Sequence, residues 1–150
     1  MTLTPGTPAP DFNLQDHTGA MRTLSEFKGN YVVVYFYPKD DTPGCTKEAC
    51  MIRDVYNDFE RNGIVVLGIS KDSPASHAKF RTKYELPFIL LSDPEKTAIE
   101  AYGASGMIGT KRISYVIGPD GIIAKTYPNV DPAGHAMELL QDIKNLREQA

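Results

Sequence analysis

Tryptophan is absent, and the 150 residues include only two cysteines and three histidines. With so few thiols, a framework of structural disulfides is not expected, and a lone cysteine pair in a reducing compartment points to catalysis, redox sensing or metal binding. No charge of one sign dominates: 16 basic against 19 acidic residues leave a net charge of −3. That balance offers no electrostatic footprint for nucleic acid or an anionic membrane, and neither is expected as a partner. No apolar run approaches the roughly 20 residues that span a bilayer. The segment Met1-Thr2-Leu3-Thr4-Pro5-Gly6 lacks the basic and apolar regions of a signal peptide, so the cytoplasm is the expected compartment. Neither G-x-G-x-x-G nor a Walker pattern follows any predicted strand, which argues against a phosphate-cradling loop. His17, His77 and His135 are scattered and distant in sequence from the cysteines, a poor match to the three or four clustered ligands of zinc. His135 falls in the first turn of the last predicted helix and reads as solvated.

The apolar share is 41%, and a chain of this length can bury a real core, so residues 1–150 read as one domain. Phe12-Asn13-Leu14 and Met21 to Leu24 flank the turn-prone Asp16-His17-Thr18-Gly19, a hairpin pattern at the N-terminal end. Tyr31 to Tyr37 is a Val-rich run too short for an apolar helix, which makes it a buried central strand. Ala49, Ile52, Val55, Tyr56 and Phe59 then recur on one face of a helix that runs to Gly63, and Ile64 to Ile69 forms a second buried strand. Ser73-Pro74, Asp93-Pro94 and Asp131-Pro132 each pair a capping side chain with proline at the first helical position. Ile113 to Ile117 and Ile122 to Tyr127 make a second hairpin through Gly118-Pro119-Asp120-Gly121. Alternating strands and helices followed by an antiparallel hairpin predict an α/β fold: a mixed sheet flanked by helices, with an N-terminal hairpin extension.

Both cysteines lie in the segment that joins the first buried strand to the following helix. A thiol at a helix N-terminus meets unpaired N–H groups and roughly half a positive charge, which favour its thiolate. Pro43 and Gly44 fix the helix start and remove bulk beside Cys45. Thr42 has two options: to cap the helix by accepting from the Cys45 N–H, or to turn its hydroxyl toward the sulfur or a substrate. Cys50 shares a polar stripe with Arg53, Asp54, Asn57 and Arg61, the wetter side of the helix. Residues five apart in an α-helix have Cα atoms about 8.6 Å apart. A disulfide needs less than about 7 Å, so the two sulfurs can join only if the first helical turns unwind. Glu48 is read as a helix-start charge or a partner for an arginine.

From Pro38 to Cys50 the chain resembles a peroxiredoxin of the bacterioferritin comigratory protein (peroxiredoxin Q) type. Pro38, Thr42 and Cys45 meet the family pattern P-x-x-x-T-x-x-C. The likeness continues through Leu67-Gly68-Ile69-Ser70, Ser76-His77-Ala78-Lys79-Phe80, Leu90 to Pro94, Lys111 to Ile117 and Gly134-His135-Ala136. It implies a thioredoxin-like fold and reduction of hydroperoxides with no metal, flavin or haem cofactor. It implies Cys45 as the peroxidatic cysteine, Cys50 as the resolving cysteine, Thr42 as a hydroxyl partner and Arg112 as the active-site arginine. Pro38, Pro43, Gly44 and Glu48 are expected around the substrate pocket. Thioredoxin or a similar dithiol is the implied reductant, and a monomer or weak dimer the implied assembly. Two alternatives use the same thiols: a redox-sensing binding protein, and a thioredoxin-like disulfide oxidoreductase. The second carries C-x-x-C and a proline before the facing strand, whereas this chain has C-x-x-x-x-C and no proline from Gly109 to Val116.

Overall fold

The computed structural model describes residues 2–149. The N-terminal hairpin forms as expected, with β1 (Asn13–Asp16) antiparallel to β2 (Met21–Thr23). Its turn is held by Asp16, whose Oδ1 accepts from the Thr18 N–H at 2.8 Å and the Thr18 hydroxyl at 2.6 Å. That is an Asx turn, the chemistry that marks such segments in sequence. There follow β3 (Tyr31–Phe36), α1 (Pro43–Asp54), α2 (Tyr56–Arg61), β4 (Ile64–Ser70), α3 (Pro74–Tyr84), β5 (Ile89–Ser92) and α4 (Thr97–Ala101). The chain continues through β6 (Ser105–Gly106), β7 (Gly109–Thr110), β8 (Ile113–Ile117), β9 (Ile123–Tyr127) and α5 (His135–Gln149).

Seven strands form one mixed sheet in the order β2-β1-β5-β4-β3-β8-β9. β3, β4 and β5 run parallel, while β8 lies antiparallel on the other side of β3. This is the thioredoxin-like α/β arrangement. β3 is covered on both faces, which explains its unbroken apolar run. Val33, Tyr35 and Tyr37 pack with Ala49, Ile52, Phe59, Phe80, Leu139 and Ile143. Val32, Val34 and Phe36 pack on the opposite face with Ile99, Tyr102 and Tyr115. Among the described residues no helix is long and apolar enough to cross a membrane.

Several sequence expectations need correction. The helix carrying both cysteines does not run on to Gly63. It breaks at Val55 (φ −116°, ψ 17°), whose N–H donates to Ile52 O at 3.2 Å, and α2 resumes at Tyr56. The break keeps Ile52 and Phe59 in one core, each with none of its surface exposed. Of the three cap-and-proline signals at Ser73, Asp93 and Asp131, only Ser73-Pro74 opens its helix where it lies, with Ser73 Oγ accepting from the Ser76 N–H at 3.1 Å. Asp93 instead reaches forward, accepting from the N–H groups of Thr97 at 3.0 Å and Ile99 at 2.8 Å, so α4 opens at Thr97. The segment 131–134 is a turn closed by the His135 N–H on Asp131 O at 3.0 Å, and α5 opens at His135. His135 is not solvated. Its ring packs edge-on against Tyr127, with centroids 5.0 Å apart, and is buried with Ala136 and Leu139. Burial pushes its pKa below the usual histidine value, although Glu138 beside Nδ1 pulls the other way.

Candidate active site

The end of β3 and the start of β8 are neighbours in the sheet, so the loop leaving β3 and the residue entering β8 meet at one sheet edge. The first contributes Cys45 and the second Arg112. Thr42 is the N-cap residue in extended backbone, Pro43 occupies the first helical position, and Cys45 is the third residue of the first turn. The first helical closure is the Thr46 N–H on Thr42 O, at 2.8 Å. Among the described residues, neither the Gly44 nor the Cys45 N–H is paired with an acceptor. Two free donors therefore stand beside the sulfur, as expected at the first turn of a helix.

Arg112 Nη2 donates to Cys45 Sγ at 3.3 Å, and Nη1 donates to Glu48 Oε1 at 2.8 Å. Glu48 follows Cys45 by three residues and so shares its helix face. A Cβ on Gly44 would sit 2.9 Å from Arg112 Nη2, so this close approach depends on glycine. An open depression lined by Lys111, Arg112, Pro128, Asn129, Val130 and Asp131 leads to the guanidinium from outside. Burial works against the Arg112 charge, but Cys45 and Glu48 outweigh it and raise its pKa. Glu48 is fully buried, and burial pushes its pKa up to about 7 even with Arg112 pulling it down. Its Oε2 has no hydrogen-bond partner among the described residues.

Thr42 does not cap the helix. Its hydroxyl donates to Lys39 O at 2.8 Å, which leaves the oxygen lone pairs open. Pro38 and Pro43 are exposed and shape the loop and the helix start. Cys50 is a half-buried free thiol in the same uninterrupted helix as Cys45, which is also free and buried. Nearby Arg53 is tied to α3, its Nη1 donating to Tyr84 O at 2.7 Å.

A second cluster, remote in sequence, grips the loop from below. Asp40 Oδ1 accepts from the Tyr37 hydroxyl at 2.6 Å, while Oδ2 faces His77 Nδ1 at 2.7 Å and accepts from Ser76 Oγ at 2.8 Å. The Asp40 N–H donates to Asp72 Oδ2 at 2.9 Å, an oxygen that also accepts from Ser70 Oγ at 2.6 Å. Asp40, Asp72 and His77 are compact enough to suggest a cation site. Their facing atoms are already matched as donors and acceptors to one another, which is the pattern of a clamp. The sequence reading missed His77 because 37 residues separate it from Asp40. The available signal was a histidine four residues after the Ser73 helix cap.

The AhpC/TSA family pattern matches residues 5–126. A putative peroxiredoxin bcp from Coxiella burnetii is 45% identical over 148 residues, covering 93% of this chain and 98% of its own. The chain belongs to the BCP/peroxiredoxin Q peroxiredoxins. It is therefore an enzyme, a thiol-dependent peroxidase. Solved peroxiredoxins share the whole architecture. PrxQ from Xylella fastidiosa superposes with a TM-score of 0.93 at 30% identity, covering 98% of this chain and 99% of its own. The bacterioferritin comigratory protein of Xanthomonas campestris, studied for alkyl peroxide reduction, superposes with a TM-score of 0.89 at 30% identity. That match covers 95% of this chain and 98% of the other.

Proposed function

We infer that the protein reduces hydrogen peroxide and organic hydroperoxides through Cys45, with Cys50 as the resolving thiol and thioredoxin or a similar dithiol as the final reductant. The observation that carries this reading is Arg112 Nη2 at 3.3 Å from Cys45 Sγ, beside two unpaired helix-start N–H groups. The Cys45 thiolate attacks the nearer peroxide oxygen and the O–O bond breaks. The sulfur is oxidised to a sulfenic acid, and the departing oxygen leaves as alcohol or water after taking a proton. Donors already aimed where negative charge develops stabilise the transition state more than the ground state. Arg112 and the Gly44 and Cys45 N–H groups fill that role. Thr42 has committed its proton to Lys39 O, so its lone pairs accept the peroxide O–H and orient the substrate. Glu48 holds the guanidinium in place.

Cys50 then attacks the sulfenic sulfur, a Cys45–Cys50 disulfide forms and water leaves. Because both residues lie in one helix, α1 must first unwind locally. A dithiol reduces the disulfide and returns the helix to its starting form. A monomer suffices for this cycle, since both thiols come from one chain, and residues 1–150 serve as a single domain working in the cytoplasm.

The deciding assay follows peroxide consumption with thioredoxin, thioredoxin reductase and NADPH. Expected are turnover by the wild type, none by Cys45→Ser, and one peroxide equivalent per chain for Cys50→Ser before it stalls. Full turnover by Cys45→Ser would refute the reading, and normal cycling by Cys50→Ser would remove Cys50 as the resolving residue.

A further inference from the structure

We propose that Asp40 and His77 are positioning residues for the peroxidatic centre. They pin the loop 38–42 to α3, keep Thr42 and the helix start in register with Arg112, and confine the unwinding of α1 to residues beyond Thr42. The proposal rests on the reading of Cys45 as the peroxidatic thiol.

The hydrogen-bond geometry defines the clamp. His77 Nε2 faces Leu91 O at 3.0 Å, and a carbonyl only accepts, so Nε2 carries a proton. Nδ1 faces the Asp40 carboxylate at 2.7 Å, so a proton also lies between that nitrogen and Oδ2. Asp40 thus receives donors from three residues on two elements, Tyr37 after β3 and Ser76 and His77 on the first turn of α3. His77 has none of its surface exposed, and its other nitrogen roots the group in β5. Such a fully matched buried network fixes one geometry, because any displacement leaves buried polar atoms unpaired.

The clamp lies where it controls the centre. Asp40 precedes Cys45 by five residues, and Asp41 between them holds a left-handed backbone with φ +58°. Asp41 is tied to the far end of α3, its carboxylate accepting from Lys83 Nζ and from the Tyr84 hydroxyl, both at 2.7 Å. Downstream, Arg53 on Tyr84 O ties the end of α1 to the same helix end. Both boundaries of the segment from Pro43 to Ile52 are therefore anchored on α3, and both cysteines lie between the anchors.

The test uses the full chain and two readouts. The first is the second-order rate of Cys45 oxidation by hydrogen peroxide, measured by competition. Expected is at least tenfold slowing in His77→Ala and Asp40→Ala, and twofold to threefold slowing in the milder Ser76→Ala. Asp40→Asn is expected to stay within threefold of wild type, since its amide can donate to a neutral Nδ1 while its oxygen accepts from Tyr37. A core variant on the opposite face of the sheet, Ile123→Ala, paired with Ile117 at the far end of β8 from Arg112, controls for lost stability and is expected to react at the wild-type rate. Slowing in His77→Ala no greater than in Ile123→Ala overturns the proposal, as does Asp40→Asn falling as far as Asp40→Ala. The second readout is amide hydrogen exchange of residues 39–42, which needs no peroxide. Expected is at least tenfold faster exchange there in His77→Ala, and unchanged protection overturns the clamp. If wild-type Cys45 were inert to peroxide, the peroxidatic reading would fail, and the exchange readout would still decide the clamp.

Discussion

Two buried carboxylates flank the start of α1, and they are satisfied to different degrees. Asp40, on the α3 side, has donor partners on both oxygens. Glu48, on the β8 side, has one oxygen on Arg112 and the other on nothing among the described residues. A fully matched carboxylate costs free energy to move in any direction. A half-matched one is held by a single partner and readily takes up a proton, in keeping with a pKa pushed up to about 7 by burial. One side of the centre is thus built to stay and the other to respond, which suits a helix that must open after each turnover.

The largest expected effect comes from removing Arg112, the one partner of Glu48 among the described residues. Arg112→Ala deletes the donor to Cys45 Sγ as well, and loss of one such donor costs roughly 10²–10³ in rate. Single-turnover oxidation of Cys45 checks it, and a loss below tenfold would show that the helix start alone suffices.

Next is the pH dependence of stability. Glu48 titrates near 4.5 in its ordinary state and near 7 in the fold, so the folded protein binds more protons between these values. Stability from this group is complete below about pH 4.5 and lost as pH rises through about 7, a change on the order of 3 kcal/mol. Glu48→Gln keeps an acceptor for Arg112 and removes the titration. Urea unfolding at pH 5 and pH 8 should show the variant gaining on wild type at the higher pH, whereas parallel pH profiles would contradict the assignment.

On the other side, Tyr37→Phe removes one donor from Asp40. A hydrogen bond to a charged group is worth about 2 kcal/mol, and a loss of that size is expected in the same unfolding assay. No measurable loss would mean that Asp40 is less firmly held than its contacts imply. The smallest effect belongs to Gly44→Ala. Its new Cβ would stand 2.9 Å from Arg112 Nη2, displacing the guanidinium by a few tenths of an ångström. The oxidation rate should fall about tenfold with the fold intact. An unchanged rate would show that the guanidinium tolerates the shift.

The parts legible in the sequence were those written in local chemistry. The β3 run, the cap at Ser73, the Asx turn at Asp16 and the strand-to-helix handover at Cys45 each depend on residues within a few positions of one another. What escaped depends on contacts across the fold. The break at Val55 puts Phe59 into a core shared with β3 and α5. β6 and β7 are two residues each, too short to show a period. His135 is buried by Tyr127, which periodicity alone does not bring to it. The Arg112 placement was legible only through family resemblance, because a lone arginine before a strand reads as surface charge. Of the two geometries Thr42 offered, the structure excludes the cap: the hydroxyl donates to Lys39 O and leaves its lone pairs open.

The most direct test oxidises the reduced chain with one equivalent of hydrogen peroxide and maps its thiols by peptide mass spectrometry under denaturing, alkylating conditions. Expected is one disulfide within the chain, joining Cys45 to Cys50, with both free thiols lost. Two intact thiols, or disulfides only between chains, would contradict a cycle in which α1 opens so that Cys50 can reach Cys45.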